Sequence, residues 1–385
     1  MRYLTAGESH GKGLCATLDG FPAQLSIDRQ KINQYLALRQ AGYGRGGRMK
    51  IETDRVEFLT GVRGNVTTGA PITLWIENKD YQNWIPYMNS EKIEPGREVT
   101  CPRPGHADLY GALKYEHTDI RNVLERASAR ETAARVAAGA LCIQLLNALG
   151  IRSYSHVIAL GGVTAQSDVH QPDFTGQISA SPVRCADPAA SEKMTAAIDR
   201  AKANGDSLGG VAQILFCNVC PGIGSYAQWD QKLDARLAFA LTSIQSVKGV
   251  SFGAGFEAAN LPGSRVHDEI YYSDDRGFYK KTNRAGGIEG GMTNGQDVVM
   301  QVAFKPIPTL YQPLQTADLL TGEKISATVE RSDTCAVPAA SVVAECAAAI
   351  VLVQAICDQF GSVTIRELEQ RYREFSEKMK KNGRT

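Results

Sequence analysis

Two long segments that are apolar on nearly every face constrain the fold more than any other feature. They span residues 129–149 and 338–360 and consist largely of Ala, Val, Leu, Ile and Cys. A surface helix keeps a polar stripe, whereas a helix that is apolar all round must be covered on all sides. The sequence therefore predicts two helices in the interior of the protein.

Short β-like runs precede and separate these two segments. Several alternate apolar with polar residues, and they are residues 55–60, 71–76, 210–216 and 297–304. Alternation favours antiparallel strands with one exposed face, and buried helices need a cover on both sides. We therefore predict an α+β fold, a β-α-β sandwich with buried helices between antiparallel sheets, and not a doubly wound parallel sheet.

Other helices are predicted from apolar spacing and capping residues. They are a helix over 28–39 capped by Ser26, one that starts at Asp187-Pro188 and stops at Gly205, one over 232–246, and a C-terminal helix opened by the capping box Thr364-x-x-Glu367. The chain shows no internal repeat and no linker rich in Pro or Ser. We expect a single domain over residues 1–385.

Charge and cysteine content limit the classes of partner and compartment. The 42 Lys and Arg residues balance 41 Asp and Glu residues, which argues against bulk nucleic acid or an anionic membrane as the main partner. The charge-free apolar stretches near 136–151 and 346–357 fall short of a membrane span. Nine cysteines without framework spacing suit a reducing compartment, so we expect a soluble cytoplasmic protein. The pair Cys217 and Cys220 is interpreted as structural thiols, and no metal is expected.

Two glycine-rich motifs come close to nucleotide-binding fingerprints. Residues 253–258 match G-x-G-x-x-A, but no convincing helix follows and Pro262-Gly263 arrives too soon. A nicotinamide-dependent dehydrogenase stays open as an alternative on this motif. Residues 6–13 resemble a P-loop but lack the first glycine and the final Ser or Thr.

Two histidines lie in stiff loops of small residues. Ser9-His10 is flanked by Gly7 and Gly11, and His106 follows Arg103-Pro104-Gly105. The unperturbed pKa of histidine lies near neutrality, so both imidazoles are candidate general acids. A lone histidine is more often structural, and that interpretation stays open for each.

Basic residues cluster between Arg39 and Lys50, where Arg45 and Arg48 lie among glycines without an acidic residue. The cluster is either a mobile basic surface loop or a clamp for a small polyanion, because guanidinium groups match carboxylates and phosphates bidentately. Further candidates are Arg103, Arg126, Arg130 and Arg331. So many donors suit a ligand with several negative charges. An RNA-binding module is the rival, but the aromatic content of 7% and the near-neutral charge disfavour it.

Other stretches suggest ligand contacts. Residues 126–132 open the first buried helix, whose free N–H groups favour an anion, and Lys305 lies on a proline-stiffened turn. The glycine-dense segment 286–295 is either backbone lying against a planar ligand or another chain, or a plain flexible loop. Asp333 follows Arg331, a cation that should keep this carboxylate ionised.

Taken together, these motifs resemble the chorismate synthase family. They are Thr5-Ala6-Gly7-Glu8-Ser9-His10-Gly11, Gly44-Arg45-Gly46-Gly47-Arg48, Arg103-Pro104-Gly105-His106-Ala107-Asp108, residues 126–132, residues 285–295 and Lys305-Pro306, in this order over nearly the whole chain. Ser332 and Ala127 depart from the family pattern, in which many members have His and Ser at these positions.

The resemblance implies a homotetramer that converts 5-enolpyruvylshikimate 3-phosphate to chorismate, by 1,4-anti elimination of phosphate at the end of the shikimate pathway. The reaction needs reduced FMN without net redox change. NADPH would serve only as a source of reducing equivalents, and we expect reduced flavin to be supplied from elsewhere.

The resemblance also implies roles for individual residues. His10 would protonate the departing phosphate, His106 would protonate reduced flavin near N1, and Asp333 would relay the ring proton toward flavin N5. Substrate contacts would come from Ser9, Arg39, Arg45, Arg103, Ser128, Arg130 and Arg331. Flavin contacts would come from Arg126, Ala127, Ser128, Gln245, Ser246, Gly290, Lys305, Pro306, Ile307, Pro308, Thr309 and Arg331, and NADP contacts from Arg39 and Arg45.

Overall fold

A computed structural model describes residues 1–46, 53–166, 168–327 and 333–380. Three of the basic residues named above, Arg48, Lys50 and Arg331, lie outside the described residues. The α-helices of the described chain are α1 Arg29–Gln40, α2 Asp108–Lys114, α3 Arg121–Ala127, α4 Thr132–Ala148, α5 Phe174–Ala180, α6 Pro188–Ala203, α7 Leu233–Thr242, α8 Gly263–Val266, α9 Val337–Phe360 and α10 Ile365–Lys380.

The strands fall into two larger sheets and several two-stranded pairs. They are β1 Arg2–Gly7, β2 Gly13–Asp19, β3 Val56–Thr60, β4 Val62–Arg63, β5 Val66–Thr67, β6 Ile72–Glu77, β7 Arg152–Leu160, β8 Val163–Thr164, β9 Gly210–Cys217, β10 Val247–Phe252, β11 Tyr271–Ser273, β12 Gly277–Tyr279, β13 Ile288–Glu289, β14 Met292–Thr293, β15 Val298–Phe304, β16 Gln315–Ala317 and β17 Lys324–Ser326. The first sheet has the order β1-β2-β6-β3 and the second β10-β15-β9-β7-β8.

The two sheets enclose the buried helices. All strand pairs within both sheets are antiparallel, and in the second sheet Ile214 of β9 pairs with Met300 on one side and Ser155 on the other. Helix α4 packs on β1, β2 and β6, α9 packs on β7 and β9, and α4 packs directly on α9. The predicted α+β class and the sandwich of buried helices between antiparallel sheets are confirmed.

Helix α9, with 24 residues, is long and apolar enough by length and composition to cross a membrane, although its charge-free stretch 346–357 is shorter than a span. However, 89% of its most apolar window is buried inside the protein. Its buried Glu345 is compensated by three hydroxyl groups, because Tyr35 Oη, Ser153 Oγ and Ser155 Oγ donate to the carboxylate at 3.0, 2.7 and 2.7 Å. The helix is therefore part of the protein core, as its composition on all faces predicts.

Most predicted helix boundaries agree with the structure. Helix α6 begins after the N-cap Asp187, and Thr364 Oγ1 accepts a hydrogen bond from the Glu367 N–H at 3.2 Å at the start of α10. Asp28, and not Ser26, caps α1, because its carboxylate accepts from the Gln30 N–H at 2.8 Å. Helix α7 ends at Thr242, earlier than predicted, because the chain turns through Ser246 with a φ of 70° and enters β10.

The glycine-rich motif at 253–258 does not form a dinucleotide site. Residues Gly255–Asn260 form a 3₁₀-helix, and the preceding strand β10 belongs to an antiparallel sheet. A Rossmann unit needs a parallel strand–helix–strand crossover at this point. The dehydrogenase alternative is therefore wrong.

The glycine-dense segment 286–295 contains the short antiparallel pair β13–β14. Gly286 packs against the backbone of Gly253, and Gly287 packs against the backbone of Asp297, so a side chain at either glycine would collide with the main chain. Both glycines also have a positive φ, which strains other residues. Close packing within this chain therefore accounts for part of the glycine density, and the plain flexible loop is excluded.

Neither Cys217 nor Cys220 forms a disulfide bond within the described residues. Burial, with Asp297 nearby, raises the pKa of Cys217 to about 12. The thiolate is the nucleophile and the metal ligand, so protonated Cys217 is poorly suited to either task. The backbone N–H of buried Cys220 donates to Tyr372 Oη at 2.9 Å, which gives this segment a role in packing α10.

Helices α4 and α9 are in close contact at Gly139, where a Cβ atom would collide with the backbone and Cβ of Cys346. We predict that Gly139→Ala lowers the free energy of unfolding by about 1–3 kcal/mol, because an extra methyl group overpacks this contact. Denaturant unfolding measures the change. Gly263→Ala is the matched control, since its Cβ meets only ordinary contacts with His267, and it should stay within about 0.5 kcal/mol. An unchanged Gly139→Ala would contradict the proposed contact.

Candidate active site

Many of the predicted site residues converge on one cavity of about 460 Å³. The cavity lies where the N-terminal ends of α4 and α9 meet the segment before β10 and the turn after β15. The predicted residues in its lining are Ser9, His10, Arg39, Arg45, Arg103, His106, Ala127, Ser128, Arg130, Gln245, Ser246, Lys305, Ile307, Pro308, Thr309 and Asp333. Stretches that are distant in sequence thus form one polar site with a partly apolar wall.

Three predicted cofactor residues lie outside this lining in the described part of the chain. Arg126 donates to Thr5 O at 3.0 Å and Gly7 O at 3.1 Å, so its guanidinium ties α3 to β1. Gly290 lies in the turn between β13 and β14, and Pro306 is flanked by residues that do line the cavity. Arg331 lies outside the described residues.

A buried carboxylate organises two of the arginines. Arg130 Nη1 donates to both oxygens of Asp54 at 2.7 and 2.6 Å, and Arg39 Nη1 lies 3.5 Å from Asp54 Oδ2. Arg39 Nε also donates to Thr132 Oγ1 at 2.9 Å, and Arg130 Nε donates to Asn78 Oδ1 at 2.9 Å. These contacts fix both guanidinium groups before any ligand binds. Arg39 lies on α1 and its side chain is buried, so for this residue the interpretation as part of a mobile surface loop is wrong.

Burial lowers the pKa of Arg39 to about 9, with Asp54 acting in the opposite direction and the neighbouring Arg130 and Arg45 adding to the decrease. The guanidinium stays protonated at neutral pH. Three cations held close together repel one another, and an anionic ligand between them relieves this repulsion. The arrangement therefore favours the binding of a polyanion.

Asp333 pairs with an arginine from a distant segment. Arg45 Nη1 donates to Asp333 Oδ2 at 2.5 Å, and the Gly46 N–H donates to Asp333 Oδ1 at 2.6 Å. The sequence suggested Arg331 as the cationic neighbour, and that residue lies outside the described residues; within them, Arg45 is a partner of Asp333. The pairing brings the start of α9 and the chain after α1 to the same wall of the cavity.

His10 is held by a buried carboxylate and an indole ring. Its Nδ1 atom lies 2.8 Å from Glu125 Oε1, and its backbone N–H donates to Glu125 Oε2 at 2.8 Å. The Trp84 ring stacks on the imidazole with a centroid distance of 4.0 Å. On the cavity side, Ser128 Oγ donates to Ser9 Oγ at 3.3 Å, which places two hydroxyls beside His10.

His106 is held in a similar way. Its Nδ1 atom lies 2.5 Å from Asp108 Oδ1, and Arg103 Nε donates to Asp108 Oδ2 at 2.8 Å. Burial opposes ionisation of Asp108, but hydrogen bonds from His106 and Arg103 outweigh it and hold the pKa of this carboxyl well below its usual range. Asp108 is therefore an anion at neutral pH.

Two cations and an amide also line the cavity, from the segment around β10 and the turn after β15. Lys305 Nζ donates to Gly105 O, and burial together with the nearby Lys248 lowers the pKa of Lys305. Gln245 Nε2 donates to Glu131 Oε1 at 2.9 Å. Within the described residues, Gln245 Oε1 and Arg39 Nη1 are buried without a hydrogen-bond partner.

Sequence reasoning missed several residues of this site, namely Asp54, Asn78, Trp84, Glu125 and Lys248. Asp108 belongs to the motif that carries His106, so its position two residues later was an available signal. Glu125 is 115 positions from His10, and Asp54 is 76 positions from Arg130, so no local sequence pattern predicts either pair.

The fold and the cavity are those of an enzyme whose arginines suit a small polyanion beside side chains able to exchange protons. A family model described as chorismate synthase matches residues 1–357. A chorismate synthase from Alkaliphilus metalliredigens is 54% identical over 376 residues, which are 97% of this chain and 99% of that protein. One from Caldicellulosiruptor bescii is 54% identical over 377 residues, 97% and 98% of the two chains.

A crystal structure of chorismate synthase is similar to this fold with a TM-score of 0.79, at 39% sequence identity and with 98% of both chains covered. The chain belongs to the chorismate synthase family. It is a lyase, and its reaction is the one that this family catalyses. The resemblance seen in the sequence motifs is confirmed.

Because the pKa of Asp108 is lowered in the folded protein, its carboxylate stabilises the fold above the unfolded-state pKa of about 3.9, and this contribution is lost as the pH falls further. We predict that Asp108→Asn is less stable than the wild type at pH 5–7 and that the difference shrinks below about pH 4. Denaturant unfolding as a function of pH measures it. A difference that grows on acidification would contradict this assignment.

Proposed function

We propose that the cavity binds 5-enolpyruvylshikimate 3-phosphate beside reduced FMN, and that His10, His106 and Asp333 handle the protons of a 1,4-anti elimination of phosphate. The observation that carries the proposal is the convergence of Arg39, Arg45, Arg103, Arg130 and both imidazoles on one cavity. Its volume of about 460 Å³ lies in the range of small-molecule sites.

The substrate occupies the arginine side of the cavity. It carries two carboxylates and one phosphate, which match guanidinium groups bidentately. Arg39 and Arg130 are fixed by Asp54, and Arg45 is fixed by Asp333, so little reorganisation is needed when the anions bind. Ser9 and Ser128 add hydroxyl donors, while Arg103 lies across the cavity next to His106.

The flavin occupies the part of the cavity lined by the segment around β10 and the turn after β15. The residues that would hold it are Ala127, Ser128, Gln245, Ser246, Lys305, Ile307, Pro308 and Thr309, with Lys248 as an additional cation for its phosphate. The fit is supported by the buried Gln245 Oε1, which has no hydrogen-bond partner among the described residues, and by the apolar side chains of Leu208 and Phe304. When bound, reduced FMN supplies electron density to the substrate ring and regains it, so the reaction has no net redox change.

The chain itself supplies proton transfer and charge stabilisation. His10 donates a proton to the phosphate oxygen as the carbon–oxygen bond breaks, with Arg130 and Arg39 near the developing charge. His106 would hold a proton near N1 of bound reduced flavin. Asp333 would accept the proton that leaves the substrate ring and serve as its relay toward N5 of the flavin, while Arg45 and the Gly46 N–H hold its carboxylate in place.

We infer that NADPH acts only as a source of reducing equivalents and that reduced flavin comes from elsewhere. Arg39 and Arg45, which also match NADP positions, lie with their acidic partners in the substrate half of the cavity, and this supports a substrate role for both.

The small polyanionic ligands fit a cytoplasmic enzyme without nucleic-acid or membrane partners. One continuous core draws residues from both large sheets, which supports a single domain over 1–385.

We further propose a homotetramer. Large apolar side chains are exposed on the described surface, with Tyr226 and Trp229 both at 74%, Phe239 at 80% and Phe256 at 81%. Exposed apolar surface of this kind is typical of contacts between subunits. We also propose that Gly290 and Arg126, which lie outside the cavity lining of this chain, contact the flavin.

The proposed reaction is tested by supplying the enolpyruvyl substrate with chemically reduced FMN under anaerobic conditions. Chorismate and inorganic phosphate should appear together, and oxidised FMN should give neither. Formation of phosphate without chorismate would contradict the elimination.

We predict that His10→Ala and His106→Ala each lower turnover at least ~100-fold, the low end for loss of a general acid. Each change leaves the buried carboxylate of Glu125 or Asp108 without its imidazole partner, so stability should fall, but both variants should still fold and bind oxidised FMN. Steady-state kinetics with reduced FMN measure turnover, and flavin fluorescence measures binding. His170→Ala is the control, since its exposed imidazole lies outside the cavity and it should keep full turnover.

For Asp333→Asn we predict that cleavage of the ring C–H bond becomes slower and limits turnover, because the amide cannot accept the proton. A substrate deuterated at the position that loses the proton should then show a larger kinetic isotope effect on kcat than in the wild type. An unchanged rate and isotope effect would remove Asp333 from the proton path.

A further inference from the structure

The same chain of three side chains, arginine to carboxylate to imidazole, occurs twice at the cavity. In the first, Arg121 Nη1 lies 3.2 Å from Glu125 Oε1, and Glu125 Oε1 lies 2.8 Å from His10 Nδ1. In the second, Arg103 Nη2 donates to Asp108 Oδ1 at 3.2 Å, and this oxygen lies 2.5 Å from His106 Nδ1. Both imidazoles are therefore approached by a carboxylate at Nδ1.

These distances determine where the proton lies on each ring. An ionised carboxylate only accepts hydrogen bonds, so Nδ1 must carry a hydrogen in both His10 and His106. The remaining ring nitrogen, Nε2, is then the atom that gains or loses a proton. This assignment holds for the neutral and for the protonated imidazole.

Both carboxylates remain ionised although they are almost completely buried, with Glu125 at 2% and Asp108 at 1% exposure. Burial alone would favour their neutral forms. Hydrogen bonds from the side chain and the backbone N–H of His10, with Arg121 nearby, outweigh burial and lower the pKa of Glu125. His106 and Arg103 have the same effect on Asp108.

Neighbouring groups also restrict rotation of the rings. Trp84 stacks on His10, and the guanidinium groups of Arg97 and Arg121 lie 4.1 and 4.9 Å from the Trp84 ring centroid. Arg103 Nη2 lies 3.2 Å from His106 Nδ1 and 3.5 Å from Nε2, so the guanidinium lies against the imidazole; because it only donates, it makes no hydrogen bond with a protonated Nδ1, which is directed to Asp108. Neither imidazole can turn its Nδ1 atom into the cavity without losing these contacts.

We propose that Glu125 and Asp108 are positioning residues, which hold His10 and His106 in the Nδ1–H tautomer so that Nε2 carries out proton exchange. The inference rests on the proposed acid roles of the two histidines. In a hydrolase with a Ser-His-Asp triad, replacing the aspartate by asparagine selects the wrong tautomer and costs about 10⁴-fold in kcat. Without the carboxylate the ring could also place a bare Nδ1 beside the amide.

The first test is Glu125→Gln, which keeps the size of the side chain and removes its charge. We expect kcat to fall about 10- to 100-fold while KM changes less than about threefold, since a general acid is worth about 10²- to 10⁴-fold. Glu345→Gln is the matched control, because Glu345 is equally buried, also accepts three hydrogen bonds and lies outside the cavity. It should lose stability and keep its kcat.

A double-mutant cycle separates positioning from general damage. If Glu125 acts through His10, Glu125→Gln should have little further effect on kcat in the His10→Ala background. An equal loss of kcat in both backgrounds would overturn the proposal. Loss of kcat in Glu345→Gln of the same size would also overturn it, since kcat would then follow stability.

A spectroscopic measurement gives a result that does not depend on activity. Solid-state ¹⁵N NMR of the full-length protein with labelled histidine reports the tautomer, and His10→Ala and His106→Ala assign the two rings. We expect protonated Nδ1 in the neutral form of both rings, and a mixture of tautomers at His10 in Glu125→Gln and at His106 in Asp108→Asn.

The two measurements distinguish the two possible failures. Protonated Nε2 at either ring in the wild type overturns the positioning of that histidine, whatever its kinetics. Unchanged kcat in His10→Ala and His106→Ala overturns the acid roles in the proposed function. The two carboxylates would then have no catalytic role through these histidines, even if Nδ1 carries the proton in both rings.

Discussion

The contact between α4 and α9 is the feature on which the rest of the structure depends. Gly139 allows the two helices to approach at Cys346, and each helix then packs its other side on a sheet. The N-terminal ends of the same helices line the cavity, through Thr132 of α4 and Ala339 of α9. The core and the active site are therefore built by one helix pair, and a shift in their packing moves both walls of the site.

Electrostatic pairing is the second principle of the site. Cations in a partly buried cavity repel one another and lose hydration, so a protein must compensate them before the ligand arrives. Asp54 does so for Arg39 and Arg130, Asp333 does so for Arg45, and Glu125 and Asp108 hold the imidazoles. The cavity is preorganised for anions in this way and still leaves donors directed at the ligand.

Local sequence patterns were sufficient for much of the fold. The all-round apolar composition predicted α4 and α9 as buried, and alternation predicted antiparallel strands, because both periodicities follow from backbone geometry. Details that depend on neighbours were predicted less well. The cap of α1 is Asp28 because its carboxylate reaches the Gln30 N–H, and the glycines near Gly286 pack against main chain that is remote in sequence.

The sequence by itself determined the elements, the fold class and the family, because motif residues and hydrophobic periodicity are local properties of the chain. Only the tertiary structure decided which charges meet. Asp333 pairs with Arg45 across 288 positions, and His10 pairs with Glu125 across 115. The physical reason is that a carboxylate pairs with whichever cation the packing of helices and sheets brings within hydrogen-bond distance, and that packing is a property of the whole chain.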